Sequence, residues 1–297
     1  MSALEQEAVS VTTIRPGRQE ALEVEIPTGK RRAVSLPLRR PGRRFRRLIS
    51  PLVVLILWQL THTFKLISEL KLPPPSELAT TGWNLIAHPI PAYGSLQGAL
   101  VISTERFAVG FFFGAVVALI LATAAGLSRI GEAAIDPLVQ GLRTIPLFGL
   151  IPVFLVLFGI GDLPKILIVA LAASVPLYLN TYSGIRSIDG KLFELGRVLG
   201  LTRSELLRNV VIPSALPQVL VGLRQSLGAA WLALVVAEQI NANSGLGFMI
   251  IQASTFLRND IIFVVLLVYT ILGLITDWIV RRMERRTLAW RPDLVAQ

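Results

Sequence analysis

Cysteine is missing from all 297 residues, so no disulfide, thiolate metal site or cysteine nucleophile can form. Histidine occurs only as His62 and His88, too few for an imidazole metal cluster. Charge is scarce: 16% of residues, against about 25% in an ordinary soluble domain. No G-x-x-x-x-G-K-S/T segment is present, so the chain cannot build a phosphate-cradling loop of that kind. No span carries a convincing carboxylate pair for acid–base work. These gaps argue against an enzyme. What fills the chain instead is apolar: 53% hydrophobic residues, mean hydropathy +0.63, in long runs that place it in the membrane class.

The net charge of +10 is concentrated rather than spread. Eleven of the 29 Lys and Arg lie before residue 48, and Arg281, Arg282, Arg285, Arg286 and Arg291 close the chain. Residues 1–47 are polar, basic and proline-containing, and read as a disordered cytoplasmic tail. The charged stretch is too long for a cleavable signal peptide, and no A-x-A-like site follows the first apolar run. The tail's charges hold the start of the first helix inside, or attract an anionic lipid or protein partner. Nucleic acid is not expected as a partner, because neither a binding fold nor interleaved aromatics accompany the charge.

A span needs roughly 20 mainly apolar residues. Six segments qualify: 48–67, 107–127, 138–158, 166–185, 219–240 and 261–281. The expected fold is therefore all-α, a polytopic membrane protein with six transmembrane helices over 48–282, followed by a tail over 283–297. The third and fourth segments are interrupted by Pro146, Pro152 and Pro176. With the N-terminus inside, 24 basic residues fall on the inner face. Five fall outside: Lys65, Lys71, Arg106, Lys165 and Arg258. That asymmetry puts both termini in the cytoplasm. In the outer segment 68–100, Pro73-Pro74-Pro75 dictates an extended stretch, and 76–88 can form an interfacial helix anchored by Trp83. No internal repeat of the secondary-transporter kind is visible.

The segment 187–217 is the longest inner connection. Asp189 can cap a helix over 190–199, and Gly200 suits a left-handed closing turn. Thr202-Arg203-Ser204-Glu205 is a capping box, so a second helix starts there, and Pro213 and Pro217 should stop or bend it before the fifth span. The result is a helical hairpin carrying Leu192, Phe193, Leu195, Leu199, Leu206 and Leu207. Such a surface either inserts into a groove on another protein or lies on lipid headgroups.

The pattern Glu194-Leu195-Gly196 … Gly200 … Val210-x-Ile212-Pro213 resembles the EAA loop of permease subunits of bacterial ATP-binding-cassette importers. Here Leu195 and Gly196 replace the two alanines. Further stretches look like the nitrate, sulfonate and taurine branch: Asp136-Pro137-Leu138 through Arg143-Thr144-Ile145-Pro146, Phe158-Gly159-Ile160-Gly161, and Asn180-Thr181-Tyr182-Ser183-Gly184-Ile185-Arg186-Ser187. Arg197-Val198-Leu199-Gly200, Ala230-Trp231 through Ala237-Glu238, and Gly245-Leu246-Gly247-Phe248 do so as well. The likeness covers roughly residues 50–290. It implies the type I importer permease fold in a bacterial inner membrane. It also implies two cytoplasmic ATPase subunits that carry the ATP and Mg, a second permease copy, and an extracytoplasmic binding protein. This chain itself is implied to bind no cofactor. The cargo implied is a small anion such as an aliphatic sulfonate, taurine, nitrate or bicarbonate, with a thiamine-precursor pyrimidine or aromatic compound as the alternative. A stand-alone secondary transporter or channel is the rival class. The resemblance makes Glu194 and Gly200 the core of the ATPase-coupling loop.

Along the path, four polar residues are candidates. Glu238 near the end of the fifth span either faces a cavity or is a structural carboxylate paired with a basic side chain. Arg224 either snorkels to the cytoplasm or marks an anion's exit route. Asn180 and Tyr182 either face the pore or hydrogen-bond between helices. Gln59 and His62 in the first span can equally be buried structural groups. Gly110 and Gly114 form a G-x-x-x-G that reads as close helix packing, and Gly245-Leu246-Gly247 reads as a turn at the outer mouth.

Overall fold

The computed structural model describes residues 43–65, 67–68, 71–88, 93–240 and 242–288. Of the expected basic tail over 1–47, residues 1–42 lie outside the described residues, and 43–47 are helical; of the expected tail over 283–297, residues 289–297 lie outside them, and 283–287 are helical. All regular structure among the described residues is helical. In chain order the helices are α1 (Arg43–Thr63), α2 (Pro75–Ala87), α3 (Leu96–Leu127), α4 (Arg129–Thr144), α5 (Ile151–Phe158), α6 (Asp162–Arg186) and α7 (Gly190–Val198). They continue with α8 (Arg203–Leu206), α9 (Ile212–Gln239), α10 (Leu246–Thr255) and α11 (Asn259–Thr287).

The centre of the bundle is α6, packed along its length against α3 on one side and α9 on the other. Glycine makes this possible. A Cβ on Gly110 would sit 2.7 Å from the Ile166 carbonyl, and one on Gly114 would collide with the Ala170 carbonyl. On the α9 side, a Cβ on Gly222 would meet Asn180 Cβ at 2.7 Å, and one on Gly184 would meet Gln218 Cβ at 2.8 Å. Ala118, Ala122, Ala125 and Ala173 are almost fully buried along the same seams. Small side chains let backbones approach, and in an apolar solvent that close packing replaces the hydrophobic drive. The G-x-x-x-G over Gly110–Gly114 is thus a packing seam.

Four described helices are long and apolar enough to cross a membrane: Leu96–Leu127, Asp162–Arg186, Arg203–Gln239 and Asn259–Thr287. In α3 the most apolar window has a mean hydropathy of 2.4, yet only 28% of it is buried inside the protein. Phe112, Phe113 and Ile120 face outward from it. An apolar surface this large, unburied by protein, requires lipid.

Three expectations are sharpened or corrected. The third span, 138–158, expected to be interrupted at Pro146, is sharply bent there: Arg129–Thr144 and Leu147–Phe158 meet at 94°. Ile145 precedes Pro146 and takes an extended conformation, φ −76° and ψ 127°, because the proline ring disfavours helical geometry before it. Counting that bent pair as one span gives up to five. Of the expected first span, the described apolar helix covers Leu52–Thr63 and ends before residue 67. The third correction concerns Pro213 and Pro217, which neither stop nor separate the helix that begins at Arg203. A π-turn over Leu207–Val211 feeds α8 directly into α9, and Pro213 falls in the first turn of α9. The wider turn absorbs the missing proline N–H, so the chain stays helical from Arg203 to Gln239.

The short helix expected over 76–88 is present as α2, Pro75–Ala87. Pro74 precedes it with φ −70° and ψ 153°, and Trp83 is 67% exposed. Thr81 donates to Asp260 at 2.9 Å, and Arg258 holds the same carboxylate, which fixes α2 to the start of α11. Between α9 and α11 lies α10, which hydropathy missed. Leu246, Met249, Ile250 and Ala253 bury it against Leu78, Leu85, Leu96, Ile261 and Val265.

Replacing Gly114 with leucine should cost about 1–3 kcal/mol by forcing α3 from α6, whereas Gly273→Ala, where a Cβ meets nothing, should leave stability unchanged or slightly raised. Thermal unfolding of the detergent-purified chain measures both.

Candidate functional site

Two polar regions occupy opposite ends of the bundle: the hairpin of α7 and α8, and a buried cluster where α3, α6, α9, α10 and α11 meet.

The hairpin is built locally. The Asp189 side chain accepts from the Lys191 N–H at 3.0 Å and starts α7. At its end, the Leu201 N–H reaches the Gly196 carbonyl and the Gly200 N–H reaches the Arg197 carbonyl, both at 3.0 Å. This Schellman pairing requires the left-handed residue that Gly200 supplies at φ +74°. Thr202 and Glu205 then exchange both bonds of a capping box and start α8. Phe193, Leu206 and Leu207 pack beneath the hairpin onto Ile185, Val211 and Ala215. Gly196 is buried there, and a Cβ on it would press on Leu206 Cδ1 at 2.8 Å, the mobile end of a side chain. The opposite face is open. Leu192, Leu195, Val198 and Leu199 are 41%, 55%, 83% and 68% exposed. Glu194 is exposed beside them, and its carboxylate makes no hydrogen bond or ion pair with a described residue, so the loop does not need that side chain as an internal tie. Val210 is half-buried in the π-turn, Ile212 is exposed and Pro213 is half-buried.

The candidate path residues are tied between helices. Asn180 on α6 donates to Gln225 at 2.9 Å and accepts from Gln218 at 3.0 Å, both on α9. Tyr182 donates to Glu132 of α4 at 2.6 Å and lies parallel to Tyr178, while Arg186 pairs with the same Glu132. Arg224 bridges α9 to α11 through Glu284 at 2.7 Å and Asp277 at 3.3 Å.

Glu238 is fully buried and fully satisfied. Ser103 donates to it at 2.7 Å, Arg106 at 2.7 Å, the Gly247 N–H at 3.0 Å and Tyr269 at 3.2 Å. Arg106, 4% exposed, also holds Asp162 through Nε at 2.9 Å and the Ser244 carbonyl at 2.7 Å. Ser103 in turn accepts from the Leu246 N–H at 2.8 Å. The turn at 243–247 is therefore latched to one ion pair by its own backbone. It can come this close only without side chains: a Cβ on Gly245 would lie 2.5 Å from Glu238 Oε1, and one on Gly247 would lie 2.5 Å from Glu238 Cβ. Lys165, also buried, donates to the Gly161 carbonyl at 2.5 Å at the same end. A charge pair removed from water persists only when every remaining lone pair and proton is met, as here.

Sequence reasoning found Glu238 but not Arg106, Ser103, Asp162 or Tyr269. One signal was available. A carboxylate inside a span demands a base, and Arg106 is the basic residue beside the second span. Pairing residues 132 positions apart, however, needs the fold. Among the described residues no cluster of metal-ligating side chains occurs.

Comparison with known proteins gives one consistent result. Residues 110–289 match the family described as binding-protein-dependent transport system inner membrane component. A permease protein assigned to aliphatic sulfonates transport in Bacillus subtilis (strain 168) is 39% identical over 85% of this chain and 91% of its own length. Its counterpart in Escherichia coli (strain K12) is 40% identical over 82% and 90%. The taurine transport system permease protein of Escherichia coli (strain K12) is 31% identical over 82% and 88%. Among solved structures, the MetNI methionine ABC transporter in an inward-facing conformation superposes with a TM-score of 0.55. It is 22% identical and covers 62% of this chain and 92% of its own, a likeness of fold.

Glu238→Ala should destabilise the chain by about 3–5 kcal/mol, because it leaves Arg106 and the turn at 243–247 without their shared acceptor. The double replacement Arg106→Met with Glu238→Met should recover a large part of that loss. Unfolding midpoints of the three proteins provide the comparison.

Proposed function

The chain belongs to the binding-protein-dependent transport system inner membrane component family, and from that membership we propose that it is the membrane-spanning permease subunit of an ATP-driven importer. It sits in a bacterial inner membrane, with both termini and the α7–α8 hairpin on the cytoplasmic side. The distribution of basic residues supports that orientation. Two ATPase subunits on separate chains supply ATP and Mg, a second copy of this chain completes the pathway, and an extracytoplasmic binding protein delivers cargo. The cargo is a small anion. The sulfonate and taurine assignments of the similar permeases support an aliphatic sulfonate before nitrate or bicarbonate.

The observation that carries this reading is mechanical. The hairpin turns four apolar side chains outward while its second helix runs unbroken into the fifth span. A hydrophobic helix face with a polar rim suits a groove on a partner protein. A push on it reaches α9 as a lever, because the helix from Arg203 to Gln239 has no loop in which to dissipate motion. Its underside grips the end of α6 through Ile185. Closing of the ATPases can thus favour one of two bundle arrangements, by as much as the partner prefers the hairpin in that arrangement.

Leu195→Asp combined with Leu199→Asp should leave insertion and the unfolding midpoint unchanged, since both side chains are exposed. ATP-driven uptake of an alkanesulfonate in vesicles holding all subunits should fall on the order of tenfold or more. Undiminished uptake would overturn the docking role. Vesicles holding this chain alone should accumulate nothing against a gradient. At Gly200, valine should impair coupling by straining the left-handed turn by about 1–2 kcal/mol, whereas asparagine, which tolerates that conformation, should be nearly silent in the same uptake assay.

A further inference from the structure

The last two turns of α11 carry Arg281, Arg282, Arg285 and Arg286, spaced so that the two pairs stack one helical turn apart, about 6 Å. With Leu274 and Trp278 they line an open recess of roughly 460 Å³. Nearby acid accounts for only part of this charge. Asp277 takes Arg281, and Asp277 and Glu284 together take Arg224. Arg282, Arg285 and Arg286 are exposed and have no carboxylate partner among the described residues. Arg282 lies over the Trp278 ring, with its guanidinium carbon 5.8 Å from the ring centre. Below the arginines the same helix turns apolar side chains outward: Ile271 55% exposed, Leu274 61%, Ile275 47%, Trp278 59% and Ile279 45%.

We propose that this recess binds an anionic phospholipid, its phosphodiester headgroup held by Arg282, Arg285 and Arg286 and its acyl chains lying along Leu274, Ile271 and Ile275. Three uncompensated guanidiniums directly above an unburied apolar stripe make a surface of matched chemistry, since the ligand must carry negative charge and hydrocarbon in that vertical order. A free phosphate satisfies the upper half alone. A soluble acidic protein would leave the stripe unmatched. Tryptophan belongs at this boundary, where its ring sits at headgroup depth, and here it also orients one of the guanidiniums. The inference rests only on α11 spanning a bilayer. It therefore stands or falls separately from the transport reading.

Native mass spectrometry and thermal unfolding of the full chain, purified in neutral detergent, test it with phosphatidylglycerol and phosphatidylcholine as probes. Phosphatidylglycerol should be retained and should raise the unfolding midpoint, and phosphatidylcholine should do neither. Each arginine converted to glutamine should weaken retention about fivefold, so Arg282→Gln, Arg285→Gln and Arg286→Gln together should abolish it. The same three positions changed to lysine should keep most of it, which separates lost charge from a misfolded helix end. Arg129→Gln, a basic residue on another helix, should change nothing. The proposal is overturned if the glutamine triple retains phosphatidylglycerol, if the lysine triple loses it equally, or if phosphatidylcholine binds as well. It is overturned too if inorganic phosphate alone reproduces the stabilisation, or if an added ATPase subunit displaces the lipid.

Discussion

The close approach of α6 to α3 and α9 governs the rest of the molecule. Without a hydrophobic force between helices in lipid, contact at glycine and alanine seams must hold the bundle. Gly110, Gly114, Gly184 and Gly222 leave no room for a Cβ on either side of α6. Both polar regions depend on that spacing. At one end, Arg106 of α3 reaches Asp162 of α6 and Glu238 of α9 because the three helices are near enough for a single guanidinium to span them. At the other, Ile185 of α6 and Ala215 of α9 form the floor on which the hairpin rests.

The two ends use different physics. The buried cluster is rigid by charge: its carboxylate has four donors, and two of its glycines exist only to let backbone come near. Such a knot has little freedom to rearrange without exposing an unpaired charge. The hairpin is rigid by local hydrogen bonding, through a cap, a Schellman turn and a capping box, and touches the bundle only on its underside. Stiff within itself and joined to one long helix, the hairpin has the build that the proposed coupling role requires. The π-turn at Leu207–Val211 provides that join while accommodating Pro213.

Much of this was legible in the residues. Apolar runs of about 20 residues marked the spans because a segment that long crosses a bilayer as a helix, with its backbone bonds closed within itself. The caps of the hairpin were readable because Asp189, Gly200, Thr202 and Glu205 act within a few positions of themselves, and Pro73-Pro74-Pro75 with Trp83 marked α2 for the same reason. The failures have two causes. Pro146 and Pro213 were visible and act locally, but a proline marks only an interruption, not whether the chain bends by 94° or continues through a π-turn. The burial of α10 depends on neighbours that a window of sequence does not contain.

By itself, then, the sequence determined what is decided by short-range chemistry: helical spans, their turns and caps, and the shape of the hairpin. Tertiary structure alone decided which charges meet. The residues alone left open what Glu238, Asn180, Tyr182 and Arg224 touch; the fold gives each a partner on another helix: Arg106, Gln218 with Gln225, Glu132, and Glu284 respectively. Partners separated by 38 to 132 positions are brought together by helix packing, and nothing in the local pattern of residues encodes that distance.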